Sequence, residues 1–146
     1  MPAEFEIDPE QGVVLSRGFG VFTHADYLDQ MERLRRDSRF RPEFNQLVDC
    51  RAITLMNLTA AEIQDLAKKS VFNPESRRAF VVTSEIQYGL SRMLGSYRDV
   101  HGKQTLLVFK EMAEALSWLN LPLSYTQKHA EKSTPPPPLV PTDSAE

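Results

Sequence analysis

Cysteine is almost missing from this chain of 146 residues: Cys50 is the only one, which excludes an internal disulfide and any structural zinc site built on thiolates. No apolar run approaches the roughly 18 residues of a membrane-spanning helix, and the opening MPAEFEIDPEQG has neither the charged nor the apolar region of a secretory leader. A reducing, cytoplasmic setting is therefore expected. An excess of positive charge is missing too. With 17 basic and 20 acidic side chains the formal net charge is −3, so nothing here resembles the global basic field that drives non-specific nucleic-acid binding, and nucleic acid is not an expected partner. There is no glycine-rich phosphate loop: SRGFGV offers only G-x-G inside a strand, where glycine marks a bulge or a close backbone approach. His24, His101 and His129 stand apart, with no pair at metal-ligand spacing and no Ser or Cys beside a general base in sequence. No catalytic residue, metal or cofactor is expected.

What is present is the composition of a globular domain, 41% hydrophobic and 25% charged, large enough to bury a core. EFEI and GVVLSRGFGVF, separated by the turn residues of DPEQG, predict a hairpin. THADYLDQMERLRRD places Tyr27, Leu28, Met31 and Leu34 on one helical face, with Thr23 as cap and Asp26 three residues later. FNQLVDC reads as a short apolar strand. TAAEIQDLAKKS carries Ile63, Leu66 and Ala67 at helical spacing behind a Thr59/Glu62 capping box. RRAFVVTS is a β-branched strand, and SEIQYGLSRMLGSYR pairs Ser84 with Gln87 as another capping box ahead of an apolar stripe of Ile86, Leu90, Met93, Leu94 and Tyr97. KQTLLVF and KEMAEALSWL supply the last strand and helix, with Trp118 expected in the core. The order is ββαβαβαβα, an α/β domain over residues 1–121.

From Pro122 the composition changes. Residues 122–146 hold six of the ten prolines, no glycine and few large apolar side chains, too little to offset the entropy of ordering, so a disordered Pro-rich tail is expected. KSTPPPPLVP matches a basic-x-x-P-x-x-P pattern over residues 132–138, which a solvated spacer also satisfies.

The run LVDCRAITLMNLTAAEIQDL resembles the signature of the STAS domain, the sulfate-transporter and anti-sigma-factor-antagonist fold, in which a strand ends in Asp and an Asp-Ser-Ser/Thr triplet opens the next helix eight residues on. Asp49 and Asn57 have that spacing. The closing LLVFKEMAEALSWL is similar to the end of the SpoIIAA-like branch, with Ala115, Trp118 and Leu119 in the places of its Ala-x-x-Trp-Leu helix. The resemblance spans residues 4–121. It implies a mixed β-sheet flanked by helices, and a module that docks, regulates or senses a ligand without catalysing a reaction. Where antagonists have Asp-Ser-Ser/Thr this chain has Asn57-Leu58-Thr59, in which only Thr59 keeps the phosphoacceptor place.

Three incompatible readings meet at that triplet. N-x-T matches a glycosylation sequon, which requires a secretory route that the sequence does not provide. As a helix cap, Thr59 satisfies free N–H groups together with Glu62. As a phosphoacceptor it places a phosphate at the positive end of a helix, although Glu62 would repel the added charge. Elsewhere, Arg33, Arg36 and Arg39, with Arg35 and Arg41, either complement the end of the first helix as solvated charges or form an anion patch for phosphate or a lipid headgroup. Cys50 reads as a buried small hydrophobe rather than a reactive thiol. The leading expectation is a non-enzymatic regulatory or protein-interaction module whose protein partner is met by Asp49, Asn57 and Thr59. The alternative is a sensor of a small apolar ligand or lipid, held at the carboxyl edge of the sheet. A homodimer is left open.

Overall fold

The turn residues between the first two strands do what their composition dictates. Gly12 adopts φ +64°, a left-handed conformation open to glycine at little cost, and Asp8 Oδ1 accepts the Gln11 N–H. The chain thereby reverses from β1 (Ala3–Asp8) into β2 (Val13–Thr23). The computed structural model describes residues 3–98 and 105–125. It continues with α1 (His24–Arg36), β3 (Asn45–Asn57), α2 (Ala60–Lys68), β4 (Arg78–Val81), α3 (Glu85–Arg98), β5 (Leu106–Phe109) and α4 (Met112–Trp118). This is the element order expected from periodicity.

The five strands lie side by side in chain order, β1 antiparallel to β2 and the others parallel. Parallel crossovers are almost always right-handed. When every crossover also steps in the same direction, all the connecting helices fall on one face. Helices α1, α2 and α3 accordingly share a core with Val14, Cys50, Phe80 and Val82. Strand alternation sends the neighbouring residues Val13, Leu15, Ala79 and Val81 to the other face, where α4 supplies Ala115 and Leu116. That face is covered by one helix of 7 residues and the segment after it.

Strand β3 corrects the sequence reading. It was expected to be short, yet it runs 13 residues, because β2 beside it runs 11 and the pairing continues to Thr23 and Asn57. β4 pairs only with residues 46–49, so the ends of β2 and β3 project together beyond the rest of the sheet. The G-x-G of this region serves both expected purposes. A Cβ at Gly18 would lie 2.6 Å from Ile53 Cδ1, while Gly20, at φ +60°, sits at a shift in register.

Helix α3 keeps Leu94 buried and Leu90 and Met93 against the core, as expected, but is rotated from the rest of its expected face. Its buried residues are Gln87, Ser91, Leu94 and Gly95, whereas Ile86 is 72% exposed and Tyr97 is also exposed. Two contacts fix this rotation. The helix backbone lies against β5 at Gly95, where a Cβ would approach Leu106 O to 3.1 Å. Gln87 is drawn inward because its Nε2 donates to Ile53 O at 3.0 Å. Ser84 Oγ still accepts the Gln87 N–H, but the Gln87 carboxamide takes the Thr83 N–H, so the expected reciprocal box is displaced by one residue.

A polar row crosses the middle of the larger core. Arg78, only 2% exposed, donates from Nε to Gln46 Oε1 at 2.8 Å and from one terminal nitrogen to the Tyr27 hydroxyl at 2.5 Å. Gln46 Nε2 donates in turn to Ser16 Oγ at 2.9 Å. The Phe72 and Phe80 rings lie 4.9 and 5.6 Å from the guanidinium carbon, close enough for cation–π attraction.

The domain boundary expected at residue 121 falls short. Leu121 and Tyr125 are buried in the smaller core, and the Tyr125 hydroxyl donates to Asp8 Oδ2 at 2.6 Å. Burial, with the Asp8 carboxylate second, pushes that phenol well above its usual range. Trp118 lies at the rim of the same core, between Phe109 and the Arg77 guanidinium. The polyproline segment lies outside the described residues. Thermal or urea unfolding should show Tyr125→Ala losing about 3–5 kcal/mol, and Tyr125→Phe about 1.5–3 kcal/mol through the bond to a carboxylate. Unchanged melting of both variants would show that this C-terminal segment contributes nothing to the fold.

Candidate functional site

The triplet singled out by sequence sits at the carboxyl edge of the sheet. Asn57 ends β3 and is exposed. Leu58 packs half-buried against the larger core. Thr59 is the N-cap of α2: its hydroxyl accepts the Glu62 N–H at 3.1 Å, and the Glu62 carboxylate accepts the Thr59 N–H at 2.9 Å. Both halves of the capping box are therefore formed.

Asp49 does not join them. It lies in mid-strand, beside Arg17 of β2 and Val81 of β4 in register, and accepts a forked pair of hydrogen bonds from Arg51 at 2.9 and 3.0 Å. With a rise near 3.3 Å per residue, eight residues of strand separate Asp49 from Asn57 by roughly 25 Å. A spacing that suits a strand followed by a loop is here spent on strand alone. Cys50, beside Asp49, is buried, and burial followed by the Asp49 charge pushes its thiol up to about 12, far from a reactive thiolate.

The edge has an apolar part that sequence reading missed. Val21 and Leu55 are register partners and are 51% and 53% exposed. Their neighbours Phe22 and Met56 point into the helix-side core, so alternation turns Val21 and Leu55 to the opposite face, in the projecting part of the sheet. The adjacent β-branched and apolar residues read as ordinary strand, and only the unequal strand lengths reveal that the face is open.

The arginines of α1 are interleaved with carboxylates. Arg33 pairs with Asp29 at 2.9 Å, Arg35 and Arg36 share Glu32, and Arg39 pairs with Asp37. Hydrogen bonds from Arg35 hold Glu32, and from Arg39 hold Asp37, below the usual carboxylate range. Arg33 also donates to Ala3 O and lies over Phe5. The i,i+3 and i,i+4 spacing to Asp29 and Glu32 carried this signal in the sequence.

A contact between distant residues joins the two helices at this edge. His24 Nε2 lies 2.8 Å from Asp65 Oδ2, and Lys69 Nζ reaches the same oxygen at 3.2 Å. The His24 bond first, and Lys69 second, keep Asp65 below its usual range. Between the sheet and α1–α3 lies a cavity of about 40 Å³ with Ser16, Tyr27, Cys50, Met56, Ile63 and Ser91 among its walls. The Ser91 hydroxyl is buried and has no hydrogen-bond partner. Among the described residues no group of three His, Cys, Asp or Glu is placed to hold a metal, and no helix is long and apolar enough to cross a membrane.

No protein-family model and no curated protein matches the sequence. Solved structures do. An uncharacterised protein of the DUF3478 family from Shewanella loihica, described as having a SpoIIAA-like fold, superposes with a TM-score of 0.53 over 80% of this chain and 93% of its own, at 23% identity. At that identity the likeness speaks for architecture alone. It agrees with the arrangement built up above, a mixed five-stranded sheet in chain order with three helices on one face and a short one on the other: the fold of this chain is SpoIIAA-like.

Proposed function

We propose that this chain is a non-enzymatic, cytoplasmic regulatory module that docks a protein partner at the carboxyl edge of its sheet, where the β2–β3 extension meets the start of α2. The observation that carries this reading is the exposed Val21–Leu55 pair, close along the chain to the exposed residues Asn57 and Thr59. Side-by-side apolar residues on an open sheet face are the kind of surface that a partner covers. The free N–H groups and partial positive charge of the α2 N-terminus favour an acidic or hydrogen-bonding rim on that partner. Thr59 contributes as a cap that holds this end of the helix in shape. Phosphate on its hydroxyl would disrupt the cap and face repulsion from Glu62.

A second reading, a sensor of a small apolar ligand, draws support from the cavity and its orphan Ser91 hydroxyl. At about 40 Å³ the space is well below the roughly 150 Å³ that admits benzene in an engineered cavity, so a larger ligand would require α2 and α3 to move apart. Native mass spectrometry of the purified protein carrying an added small mass would favour this reading over the first.

The docking reading is tested by capture from the native host with wild-type and Leu55→Glu chains. The substitution should lower partner affinity at least tenfold, about 1.4 kcal/mol, while stability stays within about 0.5 kcal/mol because the position is exposed. Retention of the partner by Leu55→Glu would rule this edge out. At the neighbouring cap, Thr59→Ala should cost about 1 kcal/mol in unfolding experiments and Thr59→Ser almost nothing, with no phosphate on Thr59 in the intact mass of protein from its native source.

A further inference from the structure

Tyr125, the last described residue, lies on the same side of the sheet as the open pair Val21 and Leu55. It packs with Val13, Leu15 and Leu121 in the smaller core, and its hydroxyl is tied to Asp8 at the β1–β2 turn. From there the face continues along β2. A Cβ at Gly18 would point at Ile53 and Phe22 of the larger core. The neighbouring Phe19 therefore faces the other way, with the Arg17 guanidinium carbon 5.7 Å from its ring centre. Val21 and its register partner Leu55, each about half exposed, end this strip. On β1 beside it, Ala3, Phe5 and Ile7 face the larger core, and alternation gives Glu4, Glu6 and Asp8 to the open side. The face thus has an acidic flank near Tyr125 and an apolar end at Val21 and Leu55.

Residues 126–146 continue from Tyr125 with matching chemistry in the same order. TQKHAEKST carries Lys128 and Lys132 against the single carboxylate of Glu131, PPPPLVP at 135–141 is apolar throughout, and TDSAE closes the chain. The lengths agree as well. From Val13 to Val21 the strand covers roughly 26 Å at 3.3 Å per residue, and residues 126–134 in a polyproline conformation would span about 28 Å. We propose that residues 126–146 fold back along this face of their own chain, with Lys128 and Lys132 beside the β1 carboxylates and residues 135–141 over Phe19, Val21 and Leu55. Too poor in apolar side chains to form a core of their own, these residues suffice to cover a surface that the domain leaves open. Proline fixes φ in advance and so lowers the entropy lost on docking, and polyproline segments pack on aromatic and apolar side chains. The tether supplies an effective concentration on the order of millimolar. The tail then competes with a protein partner for the same surface, a consequence that, unlike the contact itself, rests on the docking reading.

A nitroxide attached through Thr142→Cys in the full chain tests the contact by nuclear magnetic resonance. Cys50 does not compete for the label, because it is buried and burial pushes its thiol up to about 12. The methyl resonances of Val21 and Leu55 should lose most of their intensity, while Ile86, exposed on α3 across the sheet, keeps most of its own. Equal loss at all three positions overturns the proposal. Leu139→Asp combined with Val140→Asp should return Val21 and Leu55 to the level of Ile86, and broadening that survives both substitutions overturns it too. Isotope-labelled chain mixed with separately spin-labelled chain must show no loss at Val21 and Leu55; loss there would make the occupant the tail of a second copy and overturn the proposal. No partner enters these measurements, so the two readings fail separately. A partner retained by Leu55→Glu removes the docking surface and leaves this contact standing, and absence of the contact leaves the capture result standing.

Discussion

The guanidinium of Arg78 must find its acceptors inside the protein, because it is sealed between the sheet and the helix layer, and that requirement orders its surroundings. Its bond to Gln46, continued to Ser16, ties β4 to β3 and β2 through side chains as well as backbone. Its bond to Tyr27 fixes α1 above the same strands, and its contact with Phe72 holds the loop after α2. Removing the cation would strand Gln46 and Tyr27 in an apolar core, so the network acts as a unit.

From this clamp the rest of the architecture follows. Helices held on one face by sequential right-handed crossovers leave the other face to α4 alone, and α4 is too short to cover strands that run on past β4 and β5. The open end of β2 and β3 is therefore a consequence of unequal strand length in a one-sided sheet. It places Val21 and Leu55 in solvent close to the cap of α2. Function is proposed at the place where the fold cannot bury its own surface.

Local signals were legible in the sequence, and contacts across long separations were not. Both complete capping boxes, Thr23 with Asp26 and Thr59 with Glu62, span three residues and were readable from residue type alone. The G-x-G of β2 was readable as bulge and close approach, though not which glycine did which. The extent of β3 was hidden because it depends on the length of β2, which lies before α1. Arg78 reads in sequence as a charge at a strand edge, since Gln46, Tyr27 and Phe72 come together only in space. Helix α3 keeps Leu90, Met93 and Leu94 of its apolar stripe against the core but turns Ile86 and Tyr97 outward, because Gln87 donates to the Ile53 carbonyl and Gly95 allows close approach to β5. The boundary after residue 121 looked like a composition change, but one aromatic residue beyond it, Tyr125, packs back onto the β1–β2 turn. The pairing of the α1 arginines with Asp29 and Glu32 is a local signal, legible in their i,i+3 and i,i+4 spacing.

The measurement that bears most directly on the clamp is proton exchange at the Arg78 side chain, followed by nuclear magnetic resonance of nitrogen-labelled protein. A guanidinium enclosed by Gln46, Tyr27 and two aromatic rings should show a resolved Nε–H that exchanges with water far more slowly than those of the exposed Arg35 and Arg36, and restricted rotation of its terminal nitrogens. Exchange as fast as at those surface arginines would mean that Arg78 is open to water, and the network could not be what holds the helices to the sheet.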